Sequence, residues 1–230
     1  MPSYSPPSPS PLRPPPPNNS LPPVWNPSEH LSLIGQTGTG KSTLAAHLLK
    51  SRHYKLVLRS KPDTVKYATD RTIRRAQGMD NSRYDSFTLV PRYEDQRREF
   101  YLALERAWKH GGWTVYCDEL FYLSERLHLV EPIERLLTQG RSKGISVAIG
   151  MQRPARVSRF AISESTHVLS FGLEGRDAKE LSYATTRALE DVVKTLGNHE
   201  FVWFRRPRTL WVGRLDLRAG QLRGEYVSGG

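Results

Sequence analysis

The chain predicts an α/β fold, a mainly parallel sheet flanked by helices. Three observations predict it. Short apolar runs alternate along the chain with stretches of helical periodicity, the order in which parallel strands and crossover helices follow one another. One of those runs, Ile145–Ile149, is almost fully apolar, as a strand covered on both faces must be. Residues 35–42 read Gly-Gln-Thr-Gly-Thr-Gly-Lys-Ser, the form G-x-x-x-x-G-K-[ST], and lie between an apolar run and a helical pattern.

That loop is the most specific signal. Leu31-Ser32-Leu33-Ile34 reads as a buried strand, and Thr43–Leu49 as the start of a helix. Between them, Gly35, Gln36, Thr37, Gly38, Thr39 and Gly40 let the chain turn with backbone N–H groups pointing inward, and Thr43 opens the helix whose N-terminus completes an anion cradle. Lys41 is then placed to reach the β- and γ-phosphates of a nucleotide, and the Ser42 hydroxyl to hold Mg²⁺. A chance Gly/Thr-rich turn is the alternative, and the agreement of strand, loop and helix weighs against it.

The remaining elements follow in order. Tyr54–Leu58 reads as a second strand, followed by a polar, basic and aperiodic stretch from Lys61 to Arg83 that includes Arg71, Arg74 and Arg75. Phe87–Val90 is a short strand stopped by Pro91. Phe100, Leu104, Ala107 and Trp108 share one face of a helix over Glu94–His110, which Gly111-Gly112 closes. Trp113–Cys117 is a strand, Ile133–Ser142 a helix and Ile145–Ile149 a strand. Further strands are expected at 167–171, 200–204 and 209–213, with helical pieces at 177–184 and 188–196.

Composition bounds the rest. Of the 17 prolines, 12 fall within residues 1–27, so residues 1–28 are expected to be a disordered proline-rich tail, extended and partly polyproline II. Residues 29–230 are left as one folded domain, enough for a substantial core. The net charge of +11 resides almost wholly there, because the tail holds only Arg13 as a basic residue. A basic domain with a phosphate loop points to a polyanionic partner beyond the nucleotide, most often nucleic acid. Cys117 is the single cysteine, which excludes an intrachain disulfide or a zinc cluster and fits a reducing, cytoplasmic setting. No apolar run approaches the ~20 residues of a transmembrane helix, and the N-terminus lacks a signal-peptide pattern.

Two further groups of residues bear chemistry. Asp118-Glu119 ends the strand at 113–117, which is expected to neighbour the phosphate loop. The first carboxylate can support the water shell of Mg²⁺ and the second can take a proton from an attacking water. Glu119 could instead merely complement a helix dipole. Gln139–Gly144 leads through the apolar strand into Gly150-Met151-Gln152-Arg153-Pro154. Gln152, at the tip of a strand expected beside that of Asp118, can contact the γ-phosphate or the lytic water. Arg141, flanked by glycines at a helix end, can reach a neighbouring subunit's γ-phosphate or be only a solvated cation at the helix end.

Taken together, Gly35–Ser42, Asp118-Glu119 and Gln139–Pro154 resemble the FtsK/HerA superfamily of DNA-pumping ATPases over roughly residues 30–215. The resemblance implies a RecA-like P-loop NTPase core, ATP and Mg²⁺ as cofactors, and a homo-oligomer, a hexameric ring with double-stranded DNA in its channel. It implies phosphate and metal binding by Lys41 and Ser42, metal support from Asp118, catalysis by Glu119, nucleotide sensing by Gln152, and Arg141 as the arginine acting in trans. Met151 stands where the family often has a hydroxyl residue. The bare motor with its tail looks like the genome-packaging ATPases of membrane-containing icosahedral viruses, which implies host cytoplasm or virion as location and a capsid vertex or membrane protein as a further partner. A cellular or plasmid translocase of HerA/FtsK type, and an assembly ATPase resembling the zonular occludens toxin family, are the alternatives. A GTPase is excluded by the lack of Asn-Lys-x-Asp, and the net charge argues against a small-molecule kinase. Arg71, Arg74, Arg75 and Arg83, and separately Arg205, Arg206 and Arg208 around Pro207, are the candidate DNA contacts.

Overall fold

The computed structural model of the chain describes residues 21–61, 65–156 and 159–227. Its strands are β1 (Leu31–Ile34), β2 (Lys55–Leu58), β3 (Arg71–Ile73), β4 (Ser86–Leu89), β5 (Thr114–Cys117), β6 (Ser146–Met151), β7 (His167–Phe171), β8 (Glu200–Arg205), β9 (Thr209–Asp216) and β10 (Gln221–Val227). The helices are α1 (Lys41–Leu49), α2 (Gln96–His110), α3 (Val130–Gln139), α4 (Arg159–Ser163), α5 (Gly175–Ala184) and α6 (Arg187–Val193). The strands form one sheet in the order β10-β9-β8-β7-β1-β6-β5-β2-β4-β3. From β7 to β3 neighbouring strands are parallel, and β8, β9 and β10 continue from β7 as an antiparallel meander.

The expected mainly parallel sheet is therefore present, and its faces follow from side-chain alternation. Leu56, Leu58, Val115, Cys117, Val147 and Ile149 point to a core shared with α2, α3, α5 and α6. Leu31, Leu33, Val57, Tyr116, Ala148 and Leu169 point to the opposite core, where α1 is the principal helix. With so little helix there, large rings complete the layer: Phe171, Phe201, Trp203 and Trp211 are all buried. Aromatic side chains bury far more apolar surface per residue than aliphatic ones, so they cover a sheet face that one nine-residue helix cannot.

Several boundaries differ from expectation for identifiable reasons. The stretch read as aperiodic contains β3, an edge strand with only Ile73 buried, so it has no apolar run to recognise. β10 was not foreseen either, because Gln-Leu-Arg-Gly-Glu-Tyr-Val is a half-exposed edge strand interrupted by glycine. The helix expected over Ile133–Ser142 begins at Val130, since Pro132 in its first turn leaves no helical hydrogen bond unmade. It closes with a tighter turn over Gly140–Lys143.

The boundary drawn after residue 28 also falls too late. Residues 1–20 lie outside the described residues, but Trp25 is buried against the domain. The Arg52 guanidinium lies 3.8 Å from its ring centroid, and its indole N–H donates to the Glu29 carbonyl at 2.9 Å. Glu29 is in turn fixed to the sheet. Trp203 donates to His167 Nδ1 at 3.0 Å, so the opposite nitrogen, Nε2, carries the proton and donates to the Glu29 carboxylate at 2.7 Å. Replacing Trp25 with alanine is expected to cost about 3 kcal/mol, read as a lower urea midpoint with an unchanged denaturant slope.

Candidate functional site

The C-terminal ends of β1, β6 and β5 bring the predicted site residues together. Gly38 and Gly40 have φ of +87° and +99°, a left-handed conformation natural to glycine, which lets the loop turn tightly between β1 and α1. Gly35 is needed for a different reason. A Cβ there would lie 2.7 Å from Thr39 Oγ1 and 2.9 Å from the Phe171 ring. The loop is held from three sides: Gly35 N–H donates to the Met151 carbonyl at 3.1 Å, Thr39 Oγ1 donates to the Gln36 carbonyl at 2.9 Å, and His199 Nδ1 lies 3.1 Å from the Thr39 carbonyl. The His199 contact was not legible in the sequence, because it joins residues 160 positions apart.

Lys41 opens α1 and is buried. Burial pushes its amine below the usual lysine range, against the pull of the Glu119 and Asp118 carboxylates. Burial likewise raises the Glu119 carboxyl above its ordinary value, against the pull of Lys41 and a hydrogen bond from Gln152. A raised carboxyl is a stronger base than an ordinary one at the same position. Asp118 is oriented by two phenols that sequence reasoning missed: Tyr116 OH donates to Oδ1 at 2.9 Å and Tyr67 OH at 3.4 Å. Burial drives the Tyr116 phenol well above its usual value and pushes the neighbouring Cys117 thiol up to about 12.

One expectation is corrected. The strand bearing Asp118 does not adjoin the phosphate-loop strand, because β6 lies between β1 and β5. That places Gln152, at the end of β6, between the two groups it was expected to serve. Its Nε2 donates to Glu119 Oε2 at 2.8 Å, and Thr37 Oγ1 donates to its Oε1 at 3.5 Å. The Met151 side chain is buried in the core, and the residue serves the loop only through its carbonyl.

Arg141 is not brought to this site. It lies at the other end of β6, where its guanidinium donates to the Glu164 carbonyl at 2.8 Å and to Thr166 Oγ1 at 3.2 Å. The six residues of β6, roughly 20 Å of extended chain, separate it from Gln152. The two basic groups singled out for DNA also part company. Arg74 and Arg75 follow β3 at the same edge of the sheet as the phosphate loop. Arg205, Arg206 and Arg208 lie at the opposite edge, because Arg205 pairs with His167 at the start of β7. Arg206 is moreover a structural clamp: it donates to the carbonyls of Ser165 at 2.9 Å, Ile162 at 3.3 Å and Ala184 at 2.7 Å. Its guanidinium is therefore engaged at the ends of α4 and α5.

A nest of N–H groups with a buried lysine beside it can cradle a polyphosphate. Among the described residues no three His, Cys, Asp or Glu side chains cluster as a metal site. The donors present, one hydroxyl and one oriented carboxylate, suit a cation that takes its other ligands from phosphate and water, as Mg²⁺ does. No helix among the described residues is long and apolar enough to cross a membrane.

Fold and loop together define a P-loop nucleotide-binding protein with a central parallel sheet. No protein-family model matches the chain. It is 30% identical over 153 residues to the DNA packaging ATPase P9 of Enterobacteria phage PRD1, a match covering 64% of this chain and 66% of the relative. The chain thus spans about two thirds of that relative's length. In structure it is similar to the genome-packaging NTPase B204 of Sulfolobus turreted icosahedral virus 2, with TM-score 0.66 and 17% identity over 82% of this chain and 96% of that one. It is also similar to the pCW3 conjugation coupling protein TcpA, with TM-score 0.53 and 14% identity over 87% of this chain and 60% of that one. In sequence the chain is similar to a viral DNA packaging ATPase, and its fold is shared with viral genome-packaging NTPases and a conjugation coupling protein.

The spacing of β5 and β6 is set by a missing side chain. A Cβ on Gly150 would lie 2.2 Å from the Asp118 carbonyl oxygen, a backbone atom that cannot swing aside. Gly150→Ala is therefore expected to cost about 2 kcal/mol through overpacking and to depress ATP hydrolysis by moving Asp118. Urea denaturation and steady-state ATPase assays on the same variant check both effects.

Proposed function

We propose that this chain is the ATP-hydrolysing motor of viral genome packaging, a translocase that pumps double-stranded DNA through a ring of its own copies. The observation that carries the reading is the 30% identity to a DNA packaging ATPase. It is supported by a similar NTPase studied in complex with ATP-γS and AMPPCP, and by a net charge of +11. A cellular or plasmid translocase would share this core. The 14% identity to TcpA extends that likeness to the fold alone. We assign the motor to residues 29–230 together with the docked segment around Trp25.

In this reading Gly35–Thr43 hold the ATP phosphates, with Lys41 against the β- and γ-groups. Ser42 and Asp118 are the residues that would hold Mg²⁺, and when bound the ion neutralises charge on the phosphate oxygens. Glu119, its carboxyl raised by burial, takes a proton from the attacking water. Gln152 orients that carboxylate through its amide N–H. Glu119→Gln is expected to retain ATP binding and lose roughly 10²–10⁴-fold in turnover, measured by DNA-stimulated phosphate release with GTP and DNA-free controls. Turnover at the parent rate would remove Glu119 from catalysis.

Arg141 serves the site of a neighbouring subunit, because its position at the far edge of the sheet bars it from its own. The active species is accordingly a ring, six subunits by the superfamily resemblance. Doping Arg141→Ala subunits into a parent population is expected to depress hydrolysis more steeply than their mole fraction. A strictly proportional loss would mean that each subunit is self-contained.

A further inference from the structure

Beside Glu119 and Gln152 the C-terminal edge of the sheet opens into a cleft of about 380 Å³. Four cations line it: Lys61 from the loop after β2, Arg126 from the π-helical turn after β5, and Arg153 and Arg156 from the segment after β6. All four are exposed. Among the described residues none of them has an ion-pair partner, whereas Arg98, Arg135, Arg159, Arg214 and Arg223 are paired with carboxylates and Arg52 and Arg206 are bonded to carbonyls. Among the described residues that line the cleft, the carboxylate is Glu119, already bonded to Gln152.

Like charges crowd together at a cost unless an anion is meant to lie among them. Four come here from three different loops, and Arg74 and Arg75, which do not line the cleft, follow the outermost strand β3 at the same edge of the sheet. An array of that kind, offering charge without a base-reading surface, suits a run of backbone phosphates. We propose that this cleft is where the DNA backbone touches the motor, and that the contact reaches the catalytic base through the Gln152–Glu119 hydrogen bond. Gln152 and Arg153 are adjacent in the chain, so a phosphate that draws Arg153 into the cleft also moves the amide that holds Glu119. DNA engagement thereby repositions Glu119 for the water. The inference rests on the packaging-motor reading and specifies where its substrate binds and how the substrate governs hydrolysis.

The test uses the full chain with a fluorescent duplex of arbitrary sequence, titrated at several salt concentrations, and with DNA-stimulated ATP turnover. In Arg126→Ala/Arg156→Ala the salt slope of DNA binding is expected to fall by roughly two phosphate contacts, each worth about 0.9 in the slope. DNA stimulation should be lost with it. The matching double lysine variant should restore both, because phosphate contact needs charge rather than guanidinium shape. Gln152→Ala should keep the parent salt slope yet hydrolyse ATP at a rate that DNA no longer changes. A full salt slope in the alanine double variant overturns the cleft as the DNA site. If ATP affinity falls in that variant while the DNA slope persists, the cations belong to the nucleotide. If the variant instead fails to assemble with its DNA slope intact, they belong to a subunit contact. Stimulation of Gln152→Ala to the parent level overturns the relay. A parent protein that neither binds duplex DNA nor responds to it fails at the packaging reading itself, before the cleft is at issue.

Discussion

The parallel pairing of β6 with β1 on one side and β5 on the other holds three loops in fixed register: the phosphate loop, the Gln152 turn and the Asp118-Glu119 turn. In a sheet buried on both faces a one-residue slip would exchange the two cores and turn every side chain over. The glycine at position 150 tightens the constraint, since the β5 backbone approaches closer than any side chain permits. The amide of Gln152 can therefore meet Glu119 at hydrogen-bond distance without any flexible segment having to find it.

Within that frame the electrostatics are set by burial. Lys41, Asp118 and Glu119 are each nearly removed from solvent, and charges so placed are tolerable only when paired and hydrogen-bonded. The lysine and the two carboxylates lower one another's cost, two tyrosine hydroxyls hold Asp118, and Gln152 holds Glu119. The arrangement is preorganised in the sense that matters for catalysis, because the dipoles are already oriented before charge develops.

What could be read from the sequence divides along the distance between partners. The phosphate loop, the Asp118-Glu119 pair at a strand end, and Gln152 one strand over were legible because their meaning depends on neighbours within a few positions. Tyr67, His199 and the cleft cations were not, because each gains its role from a residue tens of positions away. Arg206 shows the converse. Its surroundings in the chain look like a basic hairpin tip, and only the fold reveals three carbonyls waiting for its guanidinium. Edge strands β3 and β10 escaped notice since a strand with one neighbour has no need of a continuous apolar run.

Cys117 lies in the middle of the sheet, wholly buried, with its thiol held almost entirely in the protonated form. A thiol in that state is inert towards alkylating reagents, because only the accessible thiolate reacts. Since it is the sole cysteine of the chain, the native sequence already behaves as a cysteine-free background. A single thiol introduced at the rim of the sheet would accept a dye or a cross-linker uniquely. Labels on neighbouring copies could then report the geometry of assembly without any prior redesign of the core.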